Sequence, residues 1–443
     1  MKSFKRWGLA AAGTLAATLA LTACGGSSGA PATTAPAPAA SSSEAAKSAE
    51  LTFWGWAPGY ADSVKAFNAS QSDVVVKYEE IQPGSRGGYE KMLNAVQAGN
   101  AACLGQVGYE TLTSFAAQGA LEDVTQYATA NQGEYVESAW NSVTVGGKVF
   151  AAPVDTGPMA MYYNKELFEK HKIAVPTTWD EYKAAAEKLK AADPKVKISS
   201  PYANYDYAGM SWQAGAPWFG IEGDSWKVSI DSPENKKVAE YWQSLVDAGT
   251  IAKAPMYDPA WFKGLGDGSI ATLVGAVWQA GVIKGDAADG AGKWAVAPMP
   301  QWDAANPKVG NVGGSATAVL KGCETPEAAW KFANFLSTDA DTYGNLIDKA
   351  ALYPAAKALL DLPQLTKEDK YFGGQKIFDV FKEEALKVNT DWTWGPNMPL
   401  TTTKLDDGLN KAWAGNGELA DALAEANTAT VENMKSQGIN VAD

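Results

Sequence analysis

Residues 51–119 read LTFWGWAPGYADSVKAFNASQSDVVVKYEEIQPGSRGGYEKMLNAVQAGNAACLGQVGYETLTSFAAQG, and the alternation of apolar periods within them decides the fold class. The run from Leu51 through Phe53 and Trp54 to Gly55 and Trp56 is short, apolar and closed by a glycine turn, which reads as a strand. Residues 60–70 carry apolar positions at helical spacing, and 74–81 give a second strand. A helix over 89–99 follows, with Met92, Leu93 and Val96 on one face and Gly99 as its stop. Residues 105–109 suggest a third strand and 112–119 another helix. Strand and helix alternating at this spacing imply an α/β unit with a mainly parallel sheet.

A second cycle begins after PVDTGP at 153–158. Residues 159–163 read as a strand. Thr178 then opens a long helix through Lys190, with Glu181 three residues on, at capping-box spacing. Residues 270–277 form a buried strand, 311–320 (NVGGSATAVL) another with two central glycines, and 326–336 an amphipathic helix. From Lys357 the chain is chiefly helical apart from a loop at 389–399. No short-period repeat is visible. The strands are too many for one compact sheet, so two α/β lobes are expected.

The 443 residues, 46% hydrophobic and 20% charged, suffice for two or three cores and exclude disorder throughout. A formal charge of −13, with Arg6 and Arg86 the only arginines, excludes a nucleic-acid binder, which needs a basic face to displace counterions. Tryptophan (17) outnumbers phenylalanine (13), so indole faces and N–H donors serve something beyond packing. With His171 the single histidine, a multi-histidine metal centre is excluded and a Ser-His-Asp triad is not expected. His171 reads as a surface residue, and Arg86, in a glycine-rich turn, as a solvated or structural one.

Lys2, Lys5 and Arg6 precede an uncharged stretch at 7–23, the layout of a secretory signal and too short for the ~20 apolar residues of a membrane span. It ends in Leu21-Thr22-Ala23-Cys24, which resembles the lipobox of bacterial lipoproteins, with Cys24 the acylated residue. Residues 1–23 are therefore read as signal peptide and 24–50 as lipidated cysteine and flexible linker. Rich in Ser, Ala, Pro and Gly, that linker cannot offset its ordering entropy by burial. As a flexible tether it would hold the folded body roughly 25 to 30 Å from its anchor. Two cysteines remain, Cys103 and Cys323. In an exported chain they form either a long-loop disulfide worth ~4 to 5 kcal/mol or two buried thiols.

Several segments taken together resemble the family 1 extracellular solute-binding proteins that feed bacterial ABC importers of carbohydrates. They are FWGW (53–56), AGNAACLGQVGYETL (98–112), GALEDVTQY (119–127), the long run GGKVFAAPVDTGPMAMYYNKELFEKHKIAVPTTWDEY (146–182), IATLVGAVW (270–278), NVGGSATAVL (311–320), PEAAWKFANFL (326–336) and YFGGQKIFDVF (371–381). The pairing of YYNKELF with PTTWDEY is the most specific. One departure is Ala102-Cys103, where such proteins usually carry Pro-Asp. The resemblance implies a two-lobe, periplasmic-binding-protein-like α/β fold of type II, with the ligand cleft between lobes. Here the lobes are placed at 51–157 plus 312–352 and at 158–311 plus 353–443. Hinged closure around a ligand is the motion such an architecture implies.

A sugar ring has an apolar C–H face and an equator of hydroxyls, so its receptor needs aromatic plates edged by carboxylates and amides. Trp54 and Trp56 lie at the end of the first strand, where open α/β sheets bind ligands. Tyr109 and Glu110 follow the third strand at its equivalent end. Asp155 sits at the first interlobe crossing, with a turn-capping role as its competing reading. Trp278 ends the strand at 270–277 and, through the resemblance, matches a stacking tryptophan. Gly314 permits close backbone approach on another crossing. Trp392 and Trp394 flank Thr393 as a clamp. For each tryptophan the competing reading is closure of a lobe core.

These expectations describe a monomeric transport receptor, not an enzyme. It captures a neutral di- or oligosaccharide without a cofactor or metal, sits on the membrane through Cys24 and delivers its ligand to permease subunits. One alternative is a receptor for a peptide, polyamine or glycerol phosphodiester, the last disfavoured by sparse arginine. Another is an exported glycoside hydrolase, which needs two carboxylates ~5 or ~6.5 to 9.5 Å apart, for instance Asp155 with Glu110 or Asp206.

Overall fold

The computed structural model describes residues 48–442; the signal segment, Cys24 and most of the linker lie outside them. The first lobe is built on a five-stranded sheet in the order Val74–Glu80, Ala49–Gly55, Leu104–Gly108, Ser315–Val319, Ala151–Pro153. The first three strands run parallel, as the strand and helix alternation requires. Ser315–Val319 enters antiparallel to both its neighbours, because the chain reaches it from the other lobe. Phe53, wholly buried, packs against Tyr60 and Phe332 with ring centroids 5.2 and 5.4 Å away, so the helices Tyr60–Ser70 and Pro326–Thr338 close on one aromatic centre.

The second lobe holds a three-stranded sheet in the order Thr272–Ala276, Met159–Asn164, Trp294–Ala297, antiparallel throughout. All five residues of Thr272–Ala276 are buried. The helix Trp179–Ala192 starts where its capping signal lies, since the Thr178 hydroxyl accepts from the Glu181 N–H at 3.2 Å. The Glu181 carboxylate closes on the Thr177 N–H at 2.7 Å, one residue earlier than a standard box.

Two short segments join the lobes side by side. The Val154 N–H donates to Ser315 O at 2.8 Å, the Val312 N–H to Gly157 O at 2.8 Å, and the Gly157 N–H to Asn311 Oδ1 at 2.9 Å. Asp155–Thr156 also pairs antiparallel with Tyr353–Pro354, adding a third crossing. The spacing here is too tight for side chains: a Cβ on Gly157 would lie 1.9 Å from Val312 O. The expected strand at 311–320 is correspondingly shorter, Ser315–Val319, because Gly313 (φ 73°) and Gly314 (φ 86°) turn through the left-handed region before it.

Asp155 locks this crossing. Its Oδ1 accepts from the Ser315 N–H at 2.9 Å and the Ser315 hydroxyl at 2.6 Å. Burial pushes its carboxyl up to about 7, outweighing the two Ser315 hydrogen bonds, which act in the opposite direction. Cys103 and Cys323 are joined by a disulfide across 220 residues of sequence. It fastens the entrance of Leu104–Gly108 to the exit of its antiparallel neighbour Ser315–Val319, beside the Leu320 N–H to Cys103 O bond of 2.9 Å.

Reduction, or Cys103→Ser with Cys323→Ser, is expected to lower the unfolding free energy by 2 to about 5 kcal/mol in denaturant titration, the upper figure being the chain-entropy limit for so long a loop. Ligand affinity should stay the same. A second expectation follows from Asp155. Its folded-state value lies above the unfolded one, so its contribution to stability is fully present below about pH 4 and is lost as pH rises through about 7. Asp155→Asn should therefore flatten the fall in stability between about pH 4 and 7 by roughly one proton, read from denaturant unfolding across that range.

Candidate functional site

The carboxyl ends of the parallel strands present the first group of site residues. Trp54 and Trp56 both project toward the helix Gly88–Gln97, as same-face alternation in a strand dictates. There they meet different neighbours. The Trp54 ring is buried, with Lys91 Nζ 4.2 Å from its centroid and its Nε1 donating to Glu79 at 2.7 Å, so its polar group is satisfied inside the lobe. Trp56 is half-buried and meets Tyr89 edge-on, 5.8 Å between centroids. Its N–H donates to Gln106 Oε1 at 2.9 Å, which fixes the turn out of the strand.

Tyr109 and Glu110 begin the helix Tyr109–Ala117 directly after the strand Leu104–Gly108. The Tyr89 hydroxyl donates to Glu110 Oε1 at 2.9 Å and accepts from the Gly108 N–H at 3.0 Å. Burial raises the Glu110 pKa, and the Tyr89 and Thr111 hydroxyls oppose that rise. Glu110 in turn faces Tyr205 of the second lobe: after burial, its charge is the next cause holding the Tyr205 phenol protonated.

From Tyr205 the aromatic contacts continue without a break. Tyr205 meets Trp394 edge-on at 6.5 Å, Trp394 meets Trp392 at 5.2 Å, and Trp392 stacks on Trp212 at 4.9 Å with planes 5° apart. Trp392 and Trp394, expected to act as a clamp, stand as two perpendicular indoles packed on each other. They are unequal, Trp392 being half-buried and Trp394 buried. Beside them lies a cavity of about 810 Å³. Tyr109, Trp392 and Trp394 line it, together with Thr156 and Asn311 of the crossing. Its remaining wall includes Trp212, Trp226, Asn141 and Asn389, and its charged lining residues are Glu137 and Asp224, with no lysine or arginine. Tyr109 Oη and Trp392 Nε1 are buried with no hydrogen-bond partner among the described residues.

Trp278 stands apart from that cavity. The strand ends at Ala276, two residues before it, and Trp278 begins the helix Gln279–Asp286. Its Nε1 donates to Val312 O at 2.9 Å, and its half-buried ring runs nearly parallel to Tyr257, 16° between planes and 6.4 Å between centroids. Gly314 brings the crossing against Tyr109, where an added Cβ would lie 2.6 Å from the ring, and it offers the site only backbone. The Asp155 carboxylate turns onto Ser315, a bond across the crossing to a residue 160 positions away and not a local turn cap.

Trp56, Tyr109, Glu110, Trp392 and Trp394 are thus joined into one interlobe band, Trp278 reaches the same crossing at Val312, and Trp54 and Asp155 have their polar groups engaged inside the protein. Tyr89, Tyr205, Tyr257 and Trp212 were missed. Tyr89 carries a usable signal, since it follows Gly87 and Gly88 at a helix start. Among the described residues no group of three or more His, Cys, Asp or Glu is arranged to hold a metal ion.

Four similarities bear on this arrangement. A family model described as bacterial extracellular solute-binding protein matches residues 55–343. The galacto-N-biose-/lacto-N-biose I-binding protein of the ABC transporter from Bifidobacterium longum, solved with lacto-N-biose, is 32% identical, with a TM-score of 0.80 over 89% of this chain and 99% of that one. The ABC transporter associated binding protein from B. animalis subsp. lactis Bl-04, solved with beta-1,6-galactobiose, is 29% identical, with a TM-score of 0.78 over 89% and 100%. The arabinooligosaccharide-binding protein of Halalkalibacterium halodurans is 24% identical over 362 residues, 77% of this chain and 79% of that protein. In sequence and in fold alike, the chain belongs to the bacterial extracellular solute-binding protein family.

Proposed function

We propose that this protein is the capture component of an ABC importer and takes up a neutral di- or oligosaccharide between its lobes. One observation carries the reading: the band from Trp56 through Glu110 and Tyr205 to Trp392 crosses from lobe to lobe as aromatic rings edged by hydroxyl, amide and carboxylate groups, and the adjoining cavity has no basic lining residue. Indole and phenol faces suit the C–H face of a pyranose, while the edge groups suit its hydroxyls. A phosphate or carboxylate ligand would call for arginine or lysine. The saccharides held by the similar Bifidobacterium proteins support the same class.

Within this reading, Trp56, Glu110, Trp278 and Trp394 contact ligand, whereas Trp54 and Asp155 support the lobe and its crossing. The lobes divide at 51–157 with 312–352 and at 158–311 with 353–443; sheet membership supports grouping Ser315–Val319 with the first lobe and Met159–Asn164, Thr272–Ala276 and Trp294–Ala297 in the second. Acylation at Cys24 would anchor the exported protein to the outer face of the cell membrane beside its permease. Catalysis forms no part of the role.

Tryptophan fluorescence titrated with soluble oligosaccharides should shift with a Kd in the micromolar range, about −8 kcal/mol, without release of reducing ends. Turnover would establish a hydrolase instead, and a response confined to spermidine or peptides a non-sugar receptor. Trp56→Ala should weaken saccharide binding by about tenfold or more, since it removes a half-buried plate. Its melting temperature should change little; an equal loss of both would make Trp56 a packing residue.

A further inference from the structure

The strands Phe219–Glu222 and Ser225–Val228 form a hairpin that belongs to neither lobe sheet. Its register pairs Phe219 with Val228 and Ile221 with Trp226, so by the two-residue period of strands these four share one face, while Gly220, Glu222, Ser225 and Lys227 share the other. One face is apolar and the other polar. Gly223 (φ 63°) supplies the first position of the two-residue loop that joins the strands. The base of the apolar face is covered: Phe219 is buried against Gly395, where an added Cβ would lie 2.4 Å from its ring. Its tip is open. Ile221 is 66% exposed and Trp226 half-buried, and both line the cavity of about 810 Å³.

A two-stranded ribbon is marginal by itself, and this one is fastened at Trp226. The Trp226 N–H donates to Asn440 O at 2.9 Å and its carbonyl accepts from the Ala442 N–H at 2.8 Å, so the segment at 440–442 pairs parallel with the outer edge of the ribbon. Exposed apolar residues scattered singly call for no explanation. Ile221 and Trp226 are instead a direct cross-strand pair on a held backbone, continuous with a lining that includes Trp392 and Trp394. Such a pair keeps apolar surface for something that enters the cavity. From the first lobe, the helix Glu137–Ser142 brings the opposite chemistry to the same cavity. Glu137 and Asn141, four residues apart and so on one helix face, are exposed and line it. The apolar pair suits the C–H face of a pyranose, and the carboxylate and amide suit its hydroxyls.

We propose that Ile221 and Trp226, together with Glu137 and Asn141, form an outer subsite for a further sugar unit, so that the receptor favours a tri- or longer oligosaccharide over the disaccharide of the same linkage. The proposal rests on the carbohydrate reading above and adds to it a preference for chain length. The cavity leaves room for such a chain, since its volume lies in the upper part of the range of about 300 to 1,000 Å³ that small-molecule sites occupy.

The test uses the mature protein and the disaccharide, trisaccharide and tetrasaccharide of whichever linkage gives the strongest fluorescence response, with Kd and melting temperature both measured by calorimetry. In the wild type the trisaccharide should bind about tenfold or more tighter than the disaccharide, through the apolar surface it covers at Ile221 and Trp226. Ile221→Ser should cut trisaccharide affinity several-fold and leave disaccharide affinity within about twofold of wild type, and, because the side chain is exposed, the melting temperature should hold. Trp226→Ala, Asn141→Ala and truncation after Ile439, which removes the segment paired with Trp226, should each weaken the trisaccharide more than the disaccharide. A wild type that binds both lengths equally overturns the outer subsite, and so does an Ile221→Ser variant that loses both lengths equally or neither; the carbohydrate reading survives each of these results. If the wild type binds no saccharide at all, that reading fails and the subsite with it.

Discussion

Everything that faces the interlobe space depends on the backbone pairing of Val154 and Gly157 with Ser315, Val312 and Asn311. Segments from distant parts of the sequence run side by side there with almost no side-chain volume between them. Because Gly157 and Gly314 let the backbones approach, Tyr109, Trp278 and the Asp155–Ser315 lock all converge on a few residues of chain. The crossing is stiff in cross-section, through its hydrogen bonds, and permissive along its length, through the positive φ of Gly313 and Gly314. That combination suits lobes that must move as bodies while keeping one set of side chains in register.

The lobe sheets make the second half of that register. A parallel sheet delivers its carboxyl ends to one edge, so Trp56, Tyr109 and Glu110 arrive together although about fifty residues separate the first from the others. The antiparallel entry of Ser315–Val319 into the same sheet returns the chain to that edge from the other lobe. The disulfide closes the opposite end of the same strand pair. One end of this pair is thus covalently fixed, and the end nearer the crossing carries the residues that meet the second lobe.

Periodicity and caps in the sequence disclosed much of this. The helix at Thr178 and the strand pattern of the first 119 residues needed only local chemistry, and local chemistry is what propensity and capping report. The antiparallel second sheet was not legible in the same way, because Thr272–Ala276 is buried on both faces and a run buried on both faces carries no sign of its neighbours' direction. Site residues divided along a similar line. Trp56 and Glu110 were visible because strand ends are visible. Tyr205, Tyr257 and Trp212 come to the site through packing between lobe-two elements distant in sequence, and nothing local distinguishes them from core aromatics. Asp155 read as a cleft group with a turn cap as its competitor, and its actual partner, Ser315, 160 residues away, could not be seen from the local sequence.

The electrostatic character of the site follows from the same constraints. Burial raises the pKa values of Glu110, Asp155 and Asp206, and no lysine or arginine among the described residues is hydrogen-bonded to any of the three carboxylates. An anionic ligand would add charge to a region already reluctant to hold it, in a chain of formal charge −13. A strongly cationic ligand would instead lower those carboxyl pKa values and gain from the charge, but it would leave the aromatic faces unmatched to C–H surface and the hydroxyl and indole donors, such as Tyr109 Oη and Trp392 Nε1, without acceptors. A neutral polyol avoids both difficulties. Its hydroxyls accept from buried donors and donate to carboxylates, while its ring faces cover indole and phenol, so each element of the band has a counterpart in one molecule.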